Sequence, residues 1–114
     1  MVIVDDDPTF RRLLRRLLAE DGLDVVGEAA HAGEAIEVVP EVRPEIVLVD
    51  VHLPDLDGFA LAHRLRDSGA AIILISSRPA HEYRRRIAAA PARGYLAKEH
   101  LSGPAILALA GCEP

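Results

Sequence analysis

The chain has 114 residues, half of them hydrophobic and 27% charged, with a formal net charge of −5. That length supports one hydrophobic core and not two, and the acidic balance argues against a nucleic-acid surface on this chain. No apolar run approaches the ~20 residues of a membrane span, and the chain begins directly in "VIV" with no basic-then-apolar leader. The single cysteine, Cys112, cannot close an internal disulfide, which suits a reducing compartment and predicts a cytoplasmic location.

Short apolar runs alternate with stretches of helical period. "VIV" (Val2 to Val4) reads as a first strand that ends in three aspartates. "DPTFRRLLRRLLAEDG" then places Phe10, Leu13, Leu14, Leu17 and Leu18 on one helical face. Asp7 suits the N-cap of that helix, Pro8 its first position and Gly22 its end. "LDVVGEA" reads as a second strand and "HAGEAIEVVPEV" as a shorter helix disturbed by Pro40. "EIVLVD" (Glu45 to Asp50) is continuously apolar up to its final acid, as expected of a strand buried on both faces.

"HLPDLDG" is a turn-rich loop, and "FALAHRLRDSG" a third helix with Phe59, Leu61, Ala62 and Leu65 turned inward. "AIILIS" is a fourth strand and "AHEYRRRIAAA" a fourth helix. "RGYLAK" is a fifth strand, and "LSGPAILALAG" a fifth helix with Pro104 near its first turn. The pattern is (βα)5, an α/β fold with a doubly wound parallel sheet covered on both faces.

In such a sheet, ligands bind outside the carboxyl ends of the strands. Asp5 and Asp6 follow strand one, Asp50 strand three, Ser76 and Ser77 strand four, and Lys98 strand five. Three carboxylates, a hydroxyl and a lysine therefore converge on one sheet edge. Clustered carboxylates at neutral pH need a cation, and oxygen ligands suit Mg²⁺ or Mn²⁺. A carboxylate is also a nucleophile towards phosphorus, and Asp50 at the end of the central strand is the best placed. Metal, ammonium and hydroxyl would then share the phosphoryl oxygens.

"VIVDDDPTFRRLLRRLL", "PEIVLVDVHLPDLDGF", "IILISS" and "RGYLAK" together resemble the receiver domain of bacterial two-component response regulators, in order and over essentially the whole chain. The resemblance implies a flavodoxin-like five-stranded sheet in the order 2-1-3-4-5, and one receiver domain over residues 1–114. It makes Asp50 the phosphoacceptor. Asp5 and Asp6 become the metal pair, with Asp6 a direct ligand and Asp5 acting through water, while His52 offers its backbone carbonyl and needs no imidazole. Ser76 and Lys98 would contact the phosphoryl group, and Tyr95 would be the switch aromatic that follows Ser76. Pro54 and Gly58 match the loop after the acceptor.

Two positions depart from the pattern. Glu99 follows the lysine where many receivers have proline, a feature shared with regulators of the NarL/FixJ type. Ser77-Arg78-Pro79 places a bulky, rigid pair beside the switch hydroxyl.

The resemblance implies a phosphorylation-dependent signalling switch, fed by a sensor histidine kinase or phosphotransfer protein, and not an enzyme beyond its own phosphoryl uptake and release. It allows a phosphorylation-dependent homodimer, with no direct DNA binding and no membrane contact. No output domain is visible in the sequence, and "KEHLSGPAILALAG" reads as a finished fifth helix, which makes a stand-alone receiver the expectation. A rival reading is a small haloacid dehalogenase-like phosphatase, since Asp5, Asp7 and Thr9 satisfy that class's short first motif. It would leave Asp50 idle. Glu28, Asp55, Asp57 and the arginine runs 11–16 and 84–86 read as solvated or loop-turn residues, and His31, His63, His81 and His100 as surface histidines.

Overall fold

A computed structural model describes residues 1–111. The strands are β1 (Val2–Val4), β2 (Gly27–Ala29), β3 (Ile46–Asp50), β4 (Ala71–Ser76) and β5 (Gly94–Ala97). They alternate with helices α1 (Pro8–Glu20), α2 (Ala32–Val42), α3 (Gly58–Arg64), α4 (Arg84–Ala89) and α5 (Gly103–Ala110). All five strands are parallel, in the order β2-β1-β3-β4-β5. Cys112 lies outside the described residues. Among those residues no helix is long and apolar enough to cross a membrane.

The sheet's period-two alternation divides the core in two. Val2, Val4, Val47, Val49, Ile72 and Leu74 face α2 and α3, where Ala35, Val39, Phe59, Leu61 and Ala62 meet them. Ile3, Leu48, Ile73 and Ile75 face the other way, against Leu14 and Leu18 of α1 and Ile106 and Ala110 of α5. Each apolar strand residue therefore has a helix to bury it, which is why the central strands read as unbroken hydrophobic runs.

Local details depart from the sequence pattern for identifiable reasons. Only Leu14 and Leu18 of the five-residue α1 face are fully buried; Leu13 is 59% and Leu17 37% exposed. An i, i+4 pair is enough to cover the strand beneath, and the flanking leucines border a shallow groove beside Phe10 and Leu101. Strand β2 is three residues long because its one neighbour, β1, offers only three. Pro40 leaves the Ile36 carbonyl without its helical N–H partner, but it falls in the last turn, so only two helical residues follow it and α2 is not broken. The fourth helical segment is split: Ala80–Tyr83 form a 3-10 turn, and α4 proper begins after Tyr83, whose φ of −125° and ψ of 21° are not helical.

Gly58 opens α3 against the end of β3. A Cβ there would sit 2.3 Å from the Asp50 carbonyl oxygen and 2.8 Å from Val51 Cα, both backbone atoms that cannot yield. Gly58→Ala should therefore cost about 1–3 kcal/mol by overpacking, read as a lower urea midpoint. Leu18→Ala should cost about 2–5 kcal/mol, while Leu13→Ala, on the exposed side of the same helix, should stay within about 0.5 kcal/mol.

Candidate functional site

The carboxyl ends of β1, β3, β4 and β5 lie side by side, so the residues that follow them share one edge. Among the described residues the buried polar or charged ones are three: Asp5, Asp50 and Ser76, at 0%, 4% and 0% exposure. All three are at this edge. Burying an uncompensated carboxylate is costly, and burying two in one place costs more, so the edge must supply compensation.

Lys98 supplies part of it. It follows β5, and its ammonium lies 2.7 Å from Asp5 Oδ2 and 3.4 Å from Asp50 Oδ2. It also lies 4.3 Å from the centre of the Phe10 ring, which walls the site on the α1 side. Burial alone would lower the Lys98 pKa; the two carboxylates outweigh it and hold the pKa above the ordinary lysine value.

Backbone donors take the other oxygens. Asp5 Oδ1 accepts from the Asp7 N–H at 2.8 Å, and Asp50 Oδ1 from the His52 N–H at 3.1 Å. Asp5 Oδ2 is fully buried and, although ion-paired with Lys98, receives no hydrogen bond of acceptable direction. Asp50 is undercompensated as well. Burial pushes its pKa up to about 6, the nearby Asp5 charge adds to this, and the His52 N–H and Lys98 only partly offset them.

One ligand oxygen each from Asp5, Asp6 and Asp50 lie within 4.8 Å of one another, with Asp6 exposed at the mouth. Two buried carboxylates that share a single ammonium, a raised acid and an all-oxygen donor set fit a small hard dication. The same geometry removes Asp7 from the cluster. Its side chain caps α1 by accepting from the Thr9 and Phe10 N–H groups at 3.0 and 3.3 Å, so the Asp5/Asp7 phosphatase pair has no support here.

Ser76 and Tyr95 are joined through one residue. The Arg78 N–H donates to Ser76 Oγ at 3.1 Å, and Tyr95 Oη donates to the Arg78 carbonyl at 2.7 Å. The Ser77-Arg78-Pro79 stretch is therefore the link between the two candidate switch residues. Burial raises the Tyr95 pKa and keeps this hydroxyl protonated at neutral pH.

Several participants were not apparent from sequence. Arg11 donates to the Asp5 carbonyl and, at 3.0 Å, to Glu28, which also pairs with Arg15; Glu28 is thus a brace and not a solvated acid. Its position within β2, the strand beside β1, was the available signal. Asp55 accepts from the Ala32 and Gly33 N–H groups, both at 2.9 Å, and so caps α2 from the acceptor loop; those bonds lower its pKa. His31 shares that cap by accepting from the Glu34 N–H at 3.2 Å. Asp57 caps α3 and pairs with Arg86 at 2.7 Å. The His52 imidazole, expected to be dispensable, has its Nε2 2.7 Å from Tyr83 Oη.

Known proteins share this chain's sequence pattern and fold. The response regulator receiver domain model matches residues 1–108. The DNA-binding transcriptional activator EvgA of Escherichia coli K12 is 30% identical over 100 residues, which cover 86% of this chain and 49% of EvgA. The chain spans between 22% and 49% of the length of the first curated relatives it matches. Among solved structures, the receiver domain of the putative response regulator NarL from Mycobacterium tuberculosis superposes with a TM-score of 0.82 at 28% identity, covering 98% of this chain and 95% of that one. A Burkholderia pseudomallei response regulator, solved with a phosphorylated aspartic acid, a calcium ion and citrate, gives 0.81 at 26% identity, covering 95% and 64%. The match in sequence, strand order and fold has one reading: the chain belongs to the response regulator receiver domain family.

Proposed function

We propose that this chain is a phosphorylation-dependent switch that accepts a phosphoryl group on Asp50 from the phosphohistidine of a sensor kinase or phosphotransfer protein. The observation that carries this is the meeting of the only three buried polar side chains described, with Lys98 facing two of them. Although the His52 N–H and Lys98 each hold one of its oxygens, Asp50 has an acidity weakened by burial and shares an acidic mouth with Asp5 and Asp6.

Asp5, Asp6 and Asp50, with the His52 carbonyl, would hold Mg²⁺ or Mn²⁺, and the ion would neutralise the oxygens of the incoming phosphoryl group. The remaining chemistry belongs to the chain. Above pH 6 Asp50 is ionised and poorly solvated, which favours attack on phosphorus. A carboxylate oxygen forms the new O–P bond as the donor's N–P bond breaks. The electron pair leaves with the imidazole, which then takes a proton from solvent. Lys98 remains beside Asp50 as the charge moves outward onto the phosphoryl oxygens. Ser76, at the adjacent strand end, would turn its hydroxyl towards the new group and release the Arg78 N–H, loosening the link to Tyr95. That exchange is a population shift between two packings.

Incubation with acetyl phosphate and Mg²⁺ should label the wild type and leave Asp50→Asn unlabelled by intact-mass measurement. Label retained by Asp50→Asn, or formed equally well in excess chelator, would overturn the proposal. A stability measurement checks the same carboxylate independently. The folded pKa of about 6 lies above the unfolded value of 3.8, so protonation favours the folded state. In metal-free buffer, this contribution should be fully present below pH 3.8, fall as pH rises between 3.8 and about 6, and be lost above that. Asp50→Asn should lack this fall and be more stable than wild type at pH 7.5, by on the order of 1–3 kcal/mol in urea unfolding.

A further inference from the structure

Helix α4 is held to the molecule in an unusual way. Neither α4 nor the 3-10 turn before it contributes a fully buried residue; Ile87 and Tyr83 reach the core only in part. Most of a helix's stability in a protein comes from the apolar face it buries, and α4 buries little. Its position therefore depends on a few specific contacts, two of which come from the loop that follows Asp50. His52 Nε2 lies 2.7 Å from Tyr83 Oη, and Asp57 pairs with Arg86 at 2.7 Å. Arg86 is further seated over the Phe59 ring at 4.3 Å.

His52 joins two sites within one residue. Its N–H donates to Asp50 Oδ1 at 3.1 Å, and its imidazole holds Tyr83. Tyr83 is the last residue of the 3-10 turn, directly before α4, and its backbone angles are not helical. Its ring also packs on its neighbours, with centroids 6.0 Å from His52, 5.6 Å from Phe59 and 6.2 Å from Tyr95. A change at the Asp50 carboxylate thus reaches the start of α4 through a hydrogen bond, one residue and a second hydrogen bond. Ser76 reaches the same aromatic group from the opposite side, through Arg78 and Tyr95.

We propose that the His52–Tyr83 hydrogen bond is a second coupling route from Asp50, with Tyr83 a positioning residue that sets α4 according to the state of the acceptor. This rests on Asp50 being the phosphoacceptor. Phosphorylation turns one carboxylate oxygen into the bridging oxygen of an acyl phosphate, which removes or moves the acceptor of the His52 N–H, and the peptide shifts towards the new anionic oxygens. The imidazole moves with its backbone, and a bond of 2.7 Å cannot absorb the displacement without breaking or pulling Tyr83 along. Because α4 has little packing to resist, one such bond is enough to change the ratio of its positions roughly three- to tenfold.

The test uses the whole chain with beryllium fluoride and Mg²⁺ as the phosphoryl probe. Uptake is read from the bound ¹⁹F signal, and the response from backbone amide shifts of residues 84–89. Tyr83→Phe keeps the ring contacts and deletes only the hydroxyl. It should bind the probe within about threefold of wild type, yet lose at least half of the shift change over residues 84–89. His52→Leu deletes the same bond from its other end. Normalised to bound probe, it should show the same loss, and the double variant no more than either one alone. A wild-type response in Tyr83→Phe, or additive losses in the double variant, would overturn the coupling route and leave Asp50 as acceptor. Failure of the wild type to bind the probe would remove both readings together.

Discussion

Two carboxylates, Asp5 and Asp50, are buried against a single ammonium, and the molecule is organised around that imbalance. Lys98 approaches Asp5 at 2.7 Å and Asp50 at 3.4 Å, yet one negative charge remains beyond what it can offset. In solvent such a cluster would disperse. Here β1, β3 and β5 end at one level, and the hydrophobic contacts of two core clusters hold those ends in place. The apolar burial of the strands thus maintains a polar arrangement that is unfavourable in isolation. Such an unfavourable arrangement, held by the fold, is characteristic of functional sites, and it suits the proposed uptake of a cation and a phosphoryl group.

The surroundings of the cluster divide into parts that hold and parts that yield. The holding parts are a backbone donor and caps: the Asp7 N–H group on Asp5, Asp7 on α1, and Asp55 on α2. The yielding parts are Ser76, Arg78, Tyr95 and the 3-10 turn with α4, which are joined by single hydrogen bonds and bury little. Rigidity near the reacting oxygens and softness one layer away are what a two-state device needs.

The order of elements, the parallel sheet and the placing of Asp5, Asp6, Asp50, Ser76 and Lys98 at one edge were legible in the sequence. They follow from periodicity and from where each apolar run stops. The pairing Asp7–α1 was legible too, because capping is local. What escaped was non-local. Glu28 meets Arg11 across 17 residues, Asp55 meets Gly33 across 22, and His52 meets Tyr83 across 31. No period or local spacing marks such pairs; they exist only because the sheet order brings their loops together. The exposure of Leu13 and Leu17 escaped for a related reason, since a helical stripe shows which residues could be buried and not how wide the neighbouring surface is.

Arg11 carries a consequence of its own. Its guanidinium joins the Asp5 carbonyl to Glu28, so the backbone bearing the acidic pair is tied to two strands and a helix before any ion arrives. A loop that must be ordered by its ligand spends part of the binding energy on lost conformational freedom. Here that freedom is already gone when the protein folds. On the proposed function, the first strand's acidic end would therefore meet its ion less as a loop that closes around metal than as a mould already set, in which ion size and charge, and not chain flexibility, decide what is accepted.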